Sequence, residues 1–74
     1  MNLSEVKFNQ KVKILKIKTD RKTVQRLVSL GVCEGGVVTP IRSSLLNTAI
    51  MIEVGSIRVA LRKDLTEKIE VKYE

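Results

Sequence analysis

The chain has no histidine and no tryptophan, one cysteine, one proline and two aromatic residues, Phe8 and Tyr73. Each shortage removes a class of function. Without histidine the commonest general base is missing. With Cys33 as the single thiol, a dedicated transition-metal site of converging soft ligands is not expected within one chain. Cys33 cannot close an intramolecular disulfide, and a lone cysteine fits a reducing compartment. It follows a predicted helix C-terminus, the wrong end of the helix dipole for activating a thiol. The eight carboxylates are scattered, with no spacing that argues for an acid–base pair. The glycines form neither GxxxxGK[ST] nor GxGxxG between a strand and a helix. No catalytic residue, metal ligand or cofactor is therefore assigned, and the chain is expected not to be an enzyme. Two aromatics, both of which fit a core, make a poor platform for stacking bases. No apolar run approaches the ~20 residues of a membrane span. The opening MNLSEVKFNQ lacks the apolar stretch of a secretory signal, so a cytoplasmic chain that does not cross a membrane is expected.

What is present is branched and aliphatic. The apolar fraction of 43% is ordinary, but valine, isoleucine and leucine supply most of it, which favours strands. Seventy-four residues make one domain, 1–74, with no linker, repeat or low-complexity tract. A domain of this size buries only roughly 60% of the surface its unfolded chain exposes, too little to wall a deep catalytic cleft.

Periodicity and turn chemistry divide the chain. Ser4 is a candidate cap for one helical turn through Val6, closed by the turn-like FNQ. Residues 11–18 read as a strand whose apolar parity changes between Ile14 and Leu15. A bulge there would return Val12, Ile14, Leu15 and Ile17 to the core. Asp20 is an N-cap for the one clear helix, about residues 21–30, with Val24, Leu27, Val28 and Gly31 on one face. Gly31 stands where a helix ends in a left-handed residue. Val37 to Arg42 is a strand whose Pro40 places it at an edge or a bulge. Ala49 to Val54 and Ile57 to Leu61 form a hairpin across Gly55 and Ser56. RKDL is a one-turn connector, and Glu67 to Lys72 is a last strand. The sum is a mainly β fold of about five strands and one helix, most economically a partly open barrel that limits exposed edges.

The net charge of +6 makes an acidic protein surface or nucleic acid a plausible partner. The alternation in KVKILKIK is what the solvent face of a strand looks like. One loop stands out. SSLLNT sets Leu45 and Leu46 side by side among serine, asparagine and threonine. Such a pair either plugs the barrel end or faces a partner. The candidate partner-binding residues are Leu45 and Leu46 of the 43–48 loop, with the nearby basic residues Arg26 and Arg62.

The ordered set RLVSLGVCEGGVV, then IEVGSIRVALRKDLTEKIEV, closely resembles the FeoA family of ferrous iron transport proteins. The resemblance runs from LSEV at Leu3 to Val71. It rests on a basic helix entering Leu30-Gly31 and then Gly35, a hairpin with Gly55 at its turn, and Ala60 to Arg62 before a polar turn and a closing IEV. It implies a small SH3-like barrel and a cytoplasmic accessory or regulatory module. That module would dock on the cytosolic domain of a GTPase-linked ferrous iron transporter, an FeoB-like permease, as a monomer or weak homo-oligomer. Members often carry proline and glycine in the loop where this chain has SSLLNT. Two alternatives stay open: a ferrous-ion sensor using Cys33 and carboxylates such as Glu34, and a basic nucleic-acid-binding barrel.

Overall fold

In the computed structural model, which describes residues 1–74, the chain runs through a 3-10 turn at Leu3–Glu5 and five strands. They are β1 (Val12–Ile17), β2 (Val37–Ser43), β3 (Ala49–Val54), β4 (Ile57–Arg62) and β5 (Ile69–Tyr73). Helix α1 (Arg21–Ser29) joins β1 to β2, and a single turn, α2 (Lys63–Thr66), joins β4 to β5. The strands are antiparallel in the order β4-β3-β2-β1-β5. β1 and β2 share only the Val12↔Val38 and Lys13↔Val37 pairs, whereas β1 pairs with β5 along its length. Beyond Pro40 the register of β2 against β3 slips by one residue before Arg42. That bulge bends β2, so its first half serves one arm of the sheet and its second half the other. Pro40 is tolerated in a central strand because it stands at this irregularity.

The two arms close on an aliphatic core that includes Val12, Ile14, Val38, Ile52, Ile69 and Val71, all 2% exposed or less. The sequence parity break in β1 is a bulge, between Ile14 and Lys16. Its consequence differs from the expectation. Leu15 is the extra residue, points outward and remains 48% exposed, while Ile14 and Ile17 are buried. A bulge restores the phase of the downstream strand by sacrificing one residue, not by turning all four inward. Both aromatics are also outside the core, Phe8 at 43% and Tyr73 at 42% exposure. The Tyr73 hydroxyl accepts a hydrogen bond from the Lys7 N–H at 3.0 Å. At the N-terminus the cap is Asn2 rather than Ser4. Its side chain accepts from the Ser4 N–H, and Glu5 reciprocates onto the Asn2 N–H.

Helix α1 begins as its sequence predicts. The Asp20 carboxylate accepts from the Thr23 N–H at 3.1 Å and the Thr23 hydroxyl at 2.7 Å. It ends in a Schellman motif: Gly31 (φ +93°) donates to the Val28 carbonyl and Val32 to the Leu27 carbonyl. Leu27 and Val32 are buried, whereas Val28, expected on the inner face, is 51% exposed. Within the helix only Leu27 is buried, with Val24 packed partly against the core, a narrower stripe than a wholly covered helix buries.

The hydrogen bonds from Thr23 hold the Asp20 carboxyl below its ordinary range, and the hydrogen bond and charge of Lys18 do the same for Glu70. The Lys18–Glu70 pair is 3.1 Å apart. A carboxyl depressed in the folded state adds stability above its unfolded value, and that stability is lost as pH falls through the folded value. The urea midpoint is therefore expected to be level from about pH 7 to 5 and to decline below about pH 4. Asp20→Asn, which keeps an N-cap acceptor, should flatten part of that acid decline. An unchanged profile would show that the cap carries none of it.

Candidate interaction surface

Leu45 and Leu46 occupy the middle of a turn from Ser44 to Asn47, closed by the Asn47 N–H donating to the Ser44 carbonyl at 2.9 Å. Asn47 takes the left-handed conformation, φ +58°, which asparagine tolerates better than most residues. Ser44 holds the loop from inside. Its hydroxyl oxygen accepts from the Thr48 N–H at 3.0 Å and the Ala49 N–H at 3.1 Å, while its own N–H donates to the Ala49 carbonyl at 2.8 Å. These bonds leave Leu45 99% and Leu46 81% exposed. Of the two fates open to this pair, plugging the barrel is excluded. The leucines are presented to solvent on an ordered turn.

Below the turn, the outer face of β2, β3 and β4 forms a groove of about 280 Å³ lined by Arg42, Ser44, Leu45, Ala49, Met51 and Ala60 among others. The strand register explains its make-up. Arg42 stands opposite Met51, Met51 opposite Ala60, and Ala49 opposite Arg62. Directly paired residues share a face. Ile50, Ile52 and Leu61 take the inner face, so Ala49, Met51, Ala60 and Arg62 take the outer one.

Arg62 is two residues beyond Ala60 and belongs to a second groove of about 260 Å³. Thr19, Thr23 and Arg26 come from the α1 side, and Arg62, Asp64 and Lys68 from the α2 side. Three cations thus meet one carboxylate there. Arg62 lies 3.4 Å from Asp64, an exposed pair worth little in stability and easily exchanged for another anion. The structure therefore brings Arg26 and Arg62 together, places Leu45 over the neighbouring groove, and links the two grooves along β4. Leu46 projects beyond both.

The sequence reading missed Ser44 as the anchor of the turn, and Met51, Ala49 and Ala60 as the apolar floor. The floor had a signal. A two-residue hairpin at Gly55-Ser56 fixes the pairing of β3 with β4, and the alternation then gives the shared face. Thr19, Thr23 and Lys68 had none, because they share a groove with Arg62 only through the tertiary fold.

Cys33 is half-buried. The adjacent Glu34 carboxylate turns to the β1 backbone, accepting from the Ile17 N–H at 3.4 Å. Nowhere do three or more Cys, Asp or Glu side chains gather as a metal-holding group. No helix is long and apolar enough to cross a membrane.

Comparison with known proteins places this geometry. A family model described as the FeoA domain matches residues 1–73. A relative from Campylobacter jejuni, provisionally named Fe(2+) transport protein A, is 37% identical over 71 residues, 96% of each chain. Among solved structures, the FeoA protein from Chlorobium tepidum matches 99% of this chain and 70% of its own, with a TM-score of 0.92 at 23% identity. The Stenotrophomonas maltophilia FeoA, described as a procaryotic SH3 domain protein complexed with zinc, matches 97% of this chain and 89% of its own, with a TM-score of 0.75 at 22% identity. At such identities the structural likenesses establish the fold, an SH3-like barrel of five antiparallel strands with a short inserted helix. The family match over nearly the whole length and the 37% identical relative establish more: this chain is a member of the FeoA family, a family of ferrous iron transport.

Proposed function

We propose that the chain is a non-catalytic accessory module of a ferrous iron uptake system, which docks from the cytoplasm on the cytosolic domain of an FeoB-like permease. The observation that carries the reading is the Leu45-Leu46 pair, fully presented on a turn that Ser44 holds in place. Exposed apolar side chains held in an ordered loop and rimmed by polar residues suit a docking site, where a few buried anchors supply most of the binding energy. The Arg26–Arg62 groove beside it offers cations to an acidic partner surface, and such charge complementarity speeds encounter and fixes orientation. Family membership supplies the transport context.

An amide-shift titration with the permease's isolated cytosolic domain tests the reading. Saturable shifts concentrated in residues 44–48 and along the two grooves are expected. Parallel titrations with a short DNA duplex and with ferrous ion under anaerobic conditions address the other chemistries. Silence with the cytosolic domain, together with salt-sensitive shifts on DNA or saturable shifts around Cys33 and Glu34 on iron, would replace the accessory role with a nucleic-acid-binding or iron-sensing one.

A further inference from the structure

The two edges of the sheet are treated differently. β5 is covered: the Val71 N–H donates to the Met1 carbonyl at 2.9 Å, and Asn2 bridges to Glu70. β4 pairs only with β3. The Lys63 N–H donates to the Thr48 carbonyl at 2.9 Å, which sets the phase of that ladder. Counting back by twos, Leu61, Val59 and Ile57 turn their backbone groups toward β3. The N–H and C=O of Arg58 and Ala60, and the N–H of Arg62, therefore point away from the sheet with no strand opposite them. Edge strands with a free row of this kind template the addition of another strand.

We propose that the outer edge of β4 is a strand-addition site for an extended, acidic segment of a protein partner. The inference rests on the docking reading above and specifies how part of that contact is made. Charge selects the occupant. Arg58, Ala60 and Arg62 project on the outer face, with Lys63 following. Glu53, 3.6 Å from Arg58, and Asp64 beside Arg62 offset this only through exposed pairs. A second copy of β4 laid antiparallel about Ala60 would set Arg58 opposite Arg62 twice, on two chains that each carry +6. Like charges directly opposed are destabilising. A segment with carboxylates at alternate outward positions, i and i+4, places each beside an arginine. Its residue i+2 stands opposite Ala60, whose methyl group leaves room for a larger apolar side chain to lean toward Met51 and the groove beneath Leu45.

The test uses the whole isotope-labelled chain and the synthetic peptide acetyl-Thr-Glu-Thr-Val-Thr-Glu-Thr-amide, with its Glu→Lys counterpart as control. At about 1 mM peptide, the range where weak main-chain recognition is read, the acidic peptide is expected to shift the amides of Arg58, Ala60 and Arg62 and to slow their hydrogen exchange. The lysine peptide should not. Ala60→Pro removes an N–H that β3 does not use, a substitution edge strands tolerate, and should weaken the peptide by about tenfold or more. Should that variant fail to fold, Arg58→Glu with Arg62→Glu is expected to exchange the preference from the acidic peptide to the basic one. The proposal is overturned by no response to the acidic peptide, by equal binding by wild type and Ala60→Pro, or by concentration-dependent shifts at the same amides without peptide. The first would leave Arg58 and Arg62 as guards against edge pairing, and the last would make the occupant a second copy. Undiminished binding of the permease domain by Ala60→Pro would likewise overturn the edge site yet leave the docking role standing. Failure of wild type to bind that domain while it binds the peptide would remove the docking role and not the edge site.

Discussion

Ile14→Ala is expected to cost the fold about 2–5 kcal/mol, the range for emptying a fully buried isoleucine site. The same truncation at Leu15 should cost about 1 kcal/mol or less, because half of that side chain already meets water. Ile14 is fully buried in β1, opposite Val71. Its carbonyl accepts from the Gly35 N–H and its N–H donates to the Gly36 carbonyl, both at 2.8 Å. Those bonds pin the backbone on both sides of the residue, so the walls cannot collapse freely into the space left by three carbons. For a chain of 74 residues the whole stability is roughly 4–11 kcal/mol. The Ile14 variant should therefore lose a large share of its stability and unfold at a markedly lower urea concentration. Urea unfolding of both variants checks this. Equal losses at the two positions would mean that the β1 bulge turns both side chains inward.

Leu45→Asp combined with Leu46→Asp should do the opposite, leaving stability within about 0.5 kcal/mol of wild type while docking on the permease domain weakens by about 100-fold or more. Two leucines at 99% and 81% exposure contribute almost no burial in the isolated chain. The turn that carries them is held by Ser44 and by the left-handed Asn47, neither of which the change touches. An apolar anchor replaced by a carboxylate loses its burial in the complex and adds a charge that must be desolvated. Calorimetric titration of a variant with an unchanged unfolding curve separates the two effects. Retained affinity would move the docking surface elsewhere, and a collapsed unfolding curve would return the leucines to a structural role.

The two variants together probe what could be read from the residues and what could not. Asp20 and Gly31 announced α1 because a cap acceptor and a left-handed C-terminal residue are demands of the local backbone. Gly55-Ser56 announced the β3–β4 hairpin for the same reason. Pro40 marked an edge or a bulge, and the structure chose the bulge. Leu15 and Val28 read as core residues because periodicity reports only that a side chain is apolar and in phase. Whether anything stands opposite is set by elements far away in sequence. Phe8 and Tyr73 fit a core by residue type and are partly exposed for the same reason.

The candidate surface divides along the same line. Leu45 and Leu46 were conspicuous in sequence as apolar residues within a polar loop, yet their exposure depended on Ser44 closing the turn outward. Arg26 and Arg62 stand 36 residues apart in sequence, and only the tertiary fold sets them on one groove. By itself the sequence determined the element types, their turns and caps, and the pairing of β3 with β4, since each arises from backbone sterics and side-chain alternation over a few residues. The tertiary structure alone decided which apolar residues were covered, which cations shared a groove and which sheet edge was left open. Those outcomes depend on contacts between segments tens of residues apart, for which local propensity carries no information.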